Sequence, residues 1–142
     1  MMLLSPYRYG AGGVTDPHWA NVVLLVNQDQ PTLTDMSSSG KTLAYLGSAS
    51  RSTSEVKYGS GSTEVDGDNT QVYTTASSSD FAFGTGDFTV EAWAKRRGAS
   101  ASGICGNIDW SDSTCWAMQI NNNSLKLRHG GSYATFITSA FA

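Results

Sequence analysis

A chain of 142 residues with a net charge of -3 and 39% hydrophobic residues can bury one ordinary core, so a single domain with a terminal arm is expected. Only 15% of the residues are charged, which leaves no basic surface for gripping a phosphate backbone and argues against nucleic acid as a partner. Fifteen glycines and long Ser/Thr clusters read as loops, while the 11% aromatic content supplies apolar surface to fold; a loop-rich all-β domain satisfies both.

Residues 1 to 17 read as an arm: Pro6-Tyr7-Arg8-Tyr9, then the Gly10-Ala11-Gly12-Gly13 hinge, then Asp16-Pro17 as a turn into the domain. Two readings of it stand, a disordered leader or a docking peptide in which Leu3, Leu4, Tyr7, Arg8 and Tyr9 engage a partner. The start lacks both a charged region ahead of its apolar part and an adequate apolar run, so it does not read as a secretion signal. The longest apolar run, Val22 to Val26, falls far short of the roughly 20 residues a membrane-spanning helix needs, so no membrane insertion is expected.

Asn21 to Asn27 is a β-branched apolar run bounded by polar residues, as in a strand buried on both faces. Gln28 to Gly40 is a loop. Strands are predicted at Thr42 to Ala49, Thr63 to Asp66, Gln71 to Thr75, Asp87 to Arg96, Gly103 to Asp109, Thr114 to Ile120, Ser124 to His129 and Tyr133 to Thr138. Clusters such as Asn121-Asn122-Asn123 and Gly130-Gly131 between them carry hairpin chemistry. The clearest pattern follows the turn Gly84-Thr85-Gly86-Asp87: Phe88, Val90, Ala92 and Ala94 alternate with Thr89, Glu91, Trp93 and Lys95. Glu91 and Trp93 are read there as architecture, and Trp19, Trp93 and Trp116 as core. No segment holds a helical apolar period, and many short strands between turns argue a sandwich or jelly roll.

Cys105 and Cys115 are too few for a disulfide framework. In a hairpin centred on Trp110 they would face each other; two buried free thiols are the preferred reading, a cross-strand disulfide the alternative. His18 and His129 lie in no nucleophile motif, His18 being expected to pack beside Trp19 and His129 to close a strand. Lys95-Arg96-Arg97 reads as a solvated tip. Trp110, flanked by Asp109 and Asp112 in a polar loop, is the candidate ligand-binding cluster: an exposed indole stacks on a sugar face or anchors a protein, unless it folds back over the sandwich end.

Four stretches in order resemble the laminin-G-like, concanavalin-A-like jelly-roll domains of bacteriophage virion proteins. Asp16 to Val26 resembles their entry strand, and Asp35-Met36-Ser37-Ser38-Ser39-Gly40-Lys41 their Asp-Ser-Ser-x-x-Gly-Lys turn. Val56 to Ser62 with Val65-Asp66-Gly67-Asp68 resembles their Lys-x-Gly-x-x-Ser and Asp-Gly segments, and Phe81 to Lys95 their signature strand. The chain lacks the closing strands of that pattern after Ile137, so it is expected to be the amino-terminal portion of a longer protein, the alternative being sheets completed by partner chains.

The resemblance implies an antiparallel β-sandwich over residues 18 to 142. The same fold hosts glycoside hydrolases with a Glu-x-Asp-x-x-Glu strand, but in Glu64-Val65-Asp66-Gly67-Asp68-Asn69 the second catalytic carboxyl is replaced by Asn69. The fold class also holds calcium, for which Asp66, Asp68 and Asn69 offer oxygen ligands; the competing reading is a tight turn satisfied by its own side chains. The expected function is a non-enzymatic structural and adhesive module of a phage particle, in a tail fibre or on the capsid surface. Its arm would dock on other virion proteins, its loops would present to a host-surface glycan or protein, and a homo-oligomer is expected. The alternative is a glycan-active enzyme or accessory carbohydrate-binding domain of the same fold.

Overall fold

The structure is a computed structural model that describes residues 17–66, 71–97, 102–107, 115–121, 124–129 and 132–137. Within them the chain is all-β, built of small antiparallel sheets, and its helical pieces are two three-residue 3-10 turns, Trp19–Asn21 and Ser79–Phe81. No helix among the described residues is long and apolar enough to cross a membrane. Two compact units form: one runs up to Ser77 and includes Phe88–Trp93, the other comprises Ser78–Asp87 and the chain from Ala94 onward.

In the first unit the Trp19–Asn21 turn closes through the Asn21 N–H on the His18 carbonyl at 2.8 Å. The predicted strand at Asn21 to Asn27 does not form. Val22, Leu25 and Gln28 are the buried positions, a spacing of three rather than two, and Val26 makes an isolated antiparallel bridge with Asp35. The cause is the Asp35 carboxylate. Its Oδ1 accepts from the backbone N–H of Leu25 at 3.0 Å and of Ser37 at 2.9 Å, and its Oδ2 from that of Lys41 at 2.8 Å. A side chain thus takes a donor that a ladder would have used, and the loop Asp35 to Lys41 wraps around it. Burial acts to raise the Asp35 carboxyl, but these three N–H groups outweigh it and leave the group below its ordinary value.

Two short ribbons complete the unit. β1 (Leu43–Leu46) pairs with β4 (Gln71–Thr74), Leu43 opposite Thr74, and β2 (Ser50–Ser52) with β3 (Ser62–Glu64), Ser50 opposite Glu64. Gly47, with φ of 67°, lets the chain turn from β1 into β2.

The second unit is a four-stranded meander: β5 (Ser102–Asn107), β6 (Trp116–Asn121), β7 (Ser124–His129) and β8 (Ser132–Ile137), in that spatial order. Asn121 opposite Ser124 and His129 opposite Ser132 are the hairpin ends that the Asn and Gly pairs predict. Cys115, Trp116, Ala117 and Ile120 are buried. Trp116, 4% exposed, donates its indole N–H to the Phe81 carbonyl at 2.8 Å and lies 4.9 Å from the Phe83 ring, which fastens the Ser79–Phe81 turn to β6. Gly106 opposes Ala117 at such close range that a Cβ there would meet the Trp116 carbonyl at 2.7 Å.

The hairpin register differs from the one expected. Cys105 sits opposite Met118, and Asn107 opposite Trp116, so Cys105 does not face Cys115. Neither cysteine is in a disulfide, and burial pushes the Cys105 thiol up to about 12 against the opposing effect of the Met118 backbone.

The alternating segment Asp87 to Arg96 is not a strand; Val90 alone carries a β-bridge. Its residues are divided between the units, Phe88–Trp93 in the first and those on either side in the second. Alternation describes which way side chains would point if a partner strand were present, and along this stretch a partner ladder is missing.

Candidate functional site

The loop from Thr53 to Gly61 joins β2 to β3 and is fixed at its carboxyl end. The Asp29 Oδ1 accepts from the Ser60 N–H at 2.8 Å, and the Ser60 hydroxyl donates to the Asp29 carbonyl at 2.8 Å. Arg51 on β2 reaches across with its Nη2 on the Ser60 carbonyl at 2.9 Å and hydroxyl at 3.0 Å, and with its Nε on the Gln28 carbonyl at 2.9 Å. Gln28, 4% exposed, ties this corner to both ribbons: its Nε2 donates to the Thr63 Oγ1 at 2.7 Å and its Oε1 accepts from the Tyr45 hydroxyl at 3.3 Å.

Glycine is required at two positions. Gly59 has φ of 73° and a Cβ there would run into the Asp29 carboxylate; at Gly61 a Cβ would stand 2.6 Å from the Gln28 carbonyl.

Just ahead of this clamp the loop presents Lys57 and Tyr58, and Trp93 meets them. The Tyr58 and Trp93 rings are 5.4 Å apart at 64°, an edge-to-face pair. The Lys57 ammonium stands 5.6 Å from the Tyr58 centroid and 5.1 Å from that of Trp93, within cation–π range of both. Such a cluster would ordinarily be interior. Here Tyr58 is 46% and Trp93 57% exposed, so two aromatic rings and a cation face solvent, with Lys57 and Tyr58 on a loop that four hydrogen bonds hold at Ser60. Tyr58 and Trp93 therefore form a platform that is organised before any ligand arrives.

Trp93 is thus not core, in contrast to the expectation, whereas Trp116 is; Trp19 is half-buried and His18 exposed. The signal for Trp93 was available in its alternation partners: Thr89, Glu91 and Lys95 are all polar, so the face that carries Trp93 was the solvent face. Tyr58 carried a similar signal, lying among Ser54, Glu55, Lys57, Gly59 and Ser60.

Of the residues singled out from the sequence, Asp109, Trp110 and Asp112 lie outside the described residues, as do Leu3, Leu4, Tyr7, Arg8 and Tyr9 of the arm. Asp68 and Asn69 of the calcium candidate also lie outside them, while Asp66 is exposed and its carbonyl accepts from the Ser48 hydroxyl at 2.8 Å. Among the described residues no three His, Cys, Asp or Glu side chains gather as a metal site. Glu64 is half-buried on β3, and His129 closes β7, exposed, as expected. Comparison with protein-family models, with curated proteins and with solved structures found no match.

Proposed function

We propose that this chain is a non-enzymatic adhesive module that binds host-surface glycan, and that it belongs to the structural equipment of a bacteriophage particle, in a tail fibre or on the capsid. The observation that carries the adhesive reading is the exposed Tyr58–Trp93 pair, whose Tyr58 sits on a clamped loop. Sugar C–H faces stack on aromatic rings, and an indole left in water has a ligand's worth of apolar area to cover. The surroundings favour a glycan over a protein: the exposed loop from Thr53 to Ser60 is mostly hydroxyl, glycine and charge, with the Ser52 and Ser54 hydroxyls 2.9 Å apart. Protein hot spots instead sit within packed apolar surroundings.

The phage assignment rests on the four ordered motifs between Asp16 and Lys95, together with the all-β architecture. A laminin-G-like sandwich, docking of residues 1 to 17 on other virion proteins and a homo-oligomeric particle component are parts of the same proposal. A glycan array tests the adhesive reading. Wild-type chain is expected to bind at least one glycan, and Trp93→Ala to lose that binding with its melting temperature unchanged. Binding indifferent to Trp93 would remove the platform from the function.

A further inference from the structure

Resting on that adhesive reading, the geometry points to one sugar class: the platform selects a pyranose that carries a negative charge at its rim, as a uronic or sialic acid residue does. Lys57 is what separates this class from neutral sugars. Its ammonium already lies within 6 Å of both ring centroids, at 5.1 and 5.6 Å. A neutral pyranose that stacks on the covered indole face must push the ammonium off the ring and receives no charge partner in return. An acidic pyranose presents its C–H face to the indole while its carboxylate, held beside that face, meets the displaced ammonium as a charge-assisted hydrogen bond.

The same cation excludes the other common ligand of paired aromatics. A quaternary ammonium group is drawn to the faces of Tyr and Trp, but here it would meet Lys57 with like charge. Lys57 thereby acts against cations, weakly against neutral rings and in favour of anions. The Asp29–Ser60–Arg51 clamp next to Tyr58 keeps Lys57 and the Tyr58 ring on one short, fixed piece of chain, against which Trp93 packs.

The test is titration calorimetry on the full chain with uronic- and sialic-acid glycans, each beside its methyl ester, which keeps the ring and removes the charge. Dextran sulfate and dextran form a second charged and neutral pair. The acids are expected to bind about three- to tenfold more tightly than their esters at low salt, with the gap narrowing as salt rises. Lys57→Gln is expected to abolish the gap by weakening the acids and slightly strengthening the esters, whose ring no longer has an ammonium to displace, and Trp93→Ala to abolish binding of both. Preference for dextran sulfate as well as the carboxylates would show that charge itself is read; carboxylate preference alone would show that its position is read; both support the inference. Trp93-dependent binding with no acid preference, or a preference that survives Lys57→Gln, overturns the inference and leaves the adhesive reading standing. Absence of any Trp93-dependent glycan binding, including the case in which Trp93 instead captures a protein of the host envelope, overturns both.

Discussion

Trp116 and Trp93 show how differently the two units use the same side chain. Trp116 lies in the meander, 4% exposed, with its N–H bonded to Phe81 and its ring against Phe83. Trp93 lies in the unit of short ribbons, 57% exposed, with an aromatic edge and an ammonium for company. The surroundings follow the same division. The meander is held by strand ladders that need only backbone groups, uninterrupted between β6 and β7 and shifted in register at Gly103/Cys105 and Leu125/Lys126, whereas the first unit is held at corners where Asp29, Asp35 and Arg51 bond backbone directly. A unit built from side-chain clamps leaves long loops between its fixed points, and such loops are where a binding surface can be displayed.

The sharpest way to break this comparison is Trp116→Ala. It removes a buried aromatic and the anchor of the Ser79–Phe81 turn, and is expected to cost about 3–5 kcal/mol in urea unfolding. A loss no larger than that of an exposed residue would show that the meander does not depend on it. In contrast, the Trp93→Ala variant used for the glycan array is expected to stay within about 0.5 kcal/mol of wild type, the smallest effect of the series.

Asp35→Ala ranks second. Three backbone N–H groups lose their acceptor, at an expected cost of about 3 kcal/mol, and amide exchange at Leu25, Ser37 and Lys41 should quicken. The pH dependence sharpens the point. Because the folded carboxyl lies below its ordinary value, its contribution is present above the unfolded value of about 3.9 and is lost as pH falls from there through the folded value. Wild type should therefore lose stability over that acid window and Asp35→Ala should lose less of it. Identical acid profiles would place the acid sensitivity elsewhere.

Gly59→Ala comes third. Positive φ and the collision with Asp29 are expected to cost about 1–3 kcal/mol. The displaced clamp should also weaken glycan binding more than it weakens the meander. Unaltered binding would mean that Tyr58 does not rely on the clamp for its position.

Much of the meander was readable along the chain. Ser124–His129 has the bounds its alternation predicts, and its ladders close at Asn121 opposite Ser124 and at His129 opposite Ser132, the hairpin ends expected from the sequence. These are local relations in which each strand is a few residues from its partner, so sequence neighbours and spatial neighbours coincide. The three-residue β2 was not anticipated, because Ser50-Arg51-Ser52 has no apolar alternation to read. Asn21 to Asn27 misled for a different reason. Its β-branched run has the composition of a strand, but the Leu25 N–H goes to a carboxylate ten residues on, and no pattern internal to the run contains that partner.

Local chemistry thus settled the all-β class, the turn positions and the polar character of the loops, because alternation, Gly and Asn act over two to four residues. Long-range packing settled what remained: that Phe88–Trp93 forms no strand, that Cys105 opposes Met118, and that Lys57, Tyr58 and Trp93 converge. Those outcomes depend on which donor finds which acceptor across sequence separations of 10 to 35 residues, as in the Leu25–Asp35 and Trp116–Phe81 bonds. The period of a segment says where its side chains would point, and only packing decides what they point at.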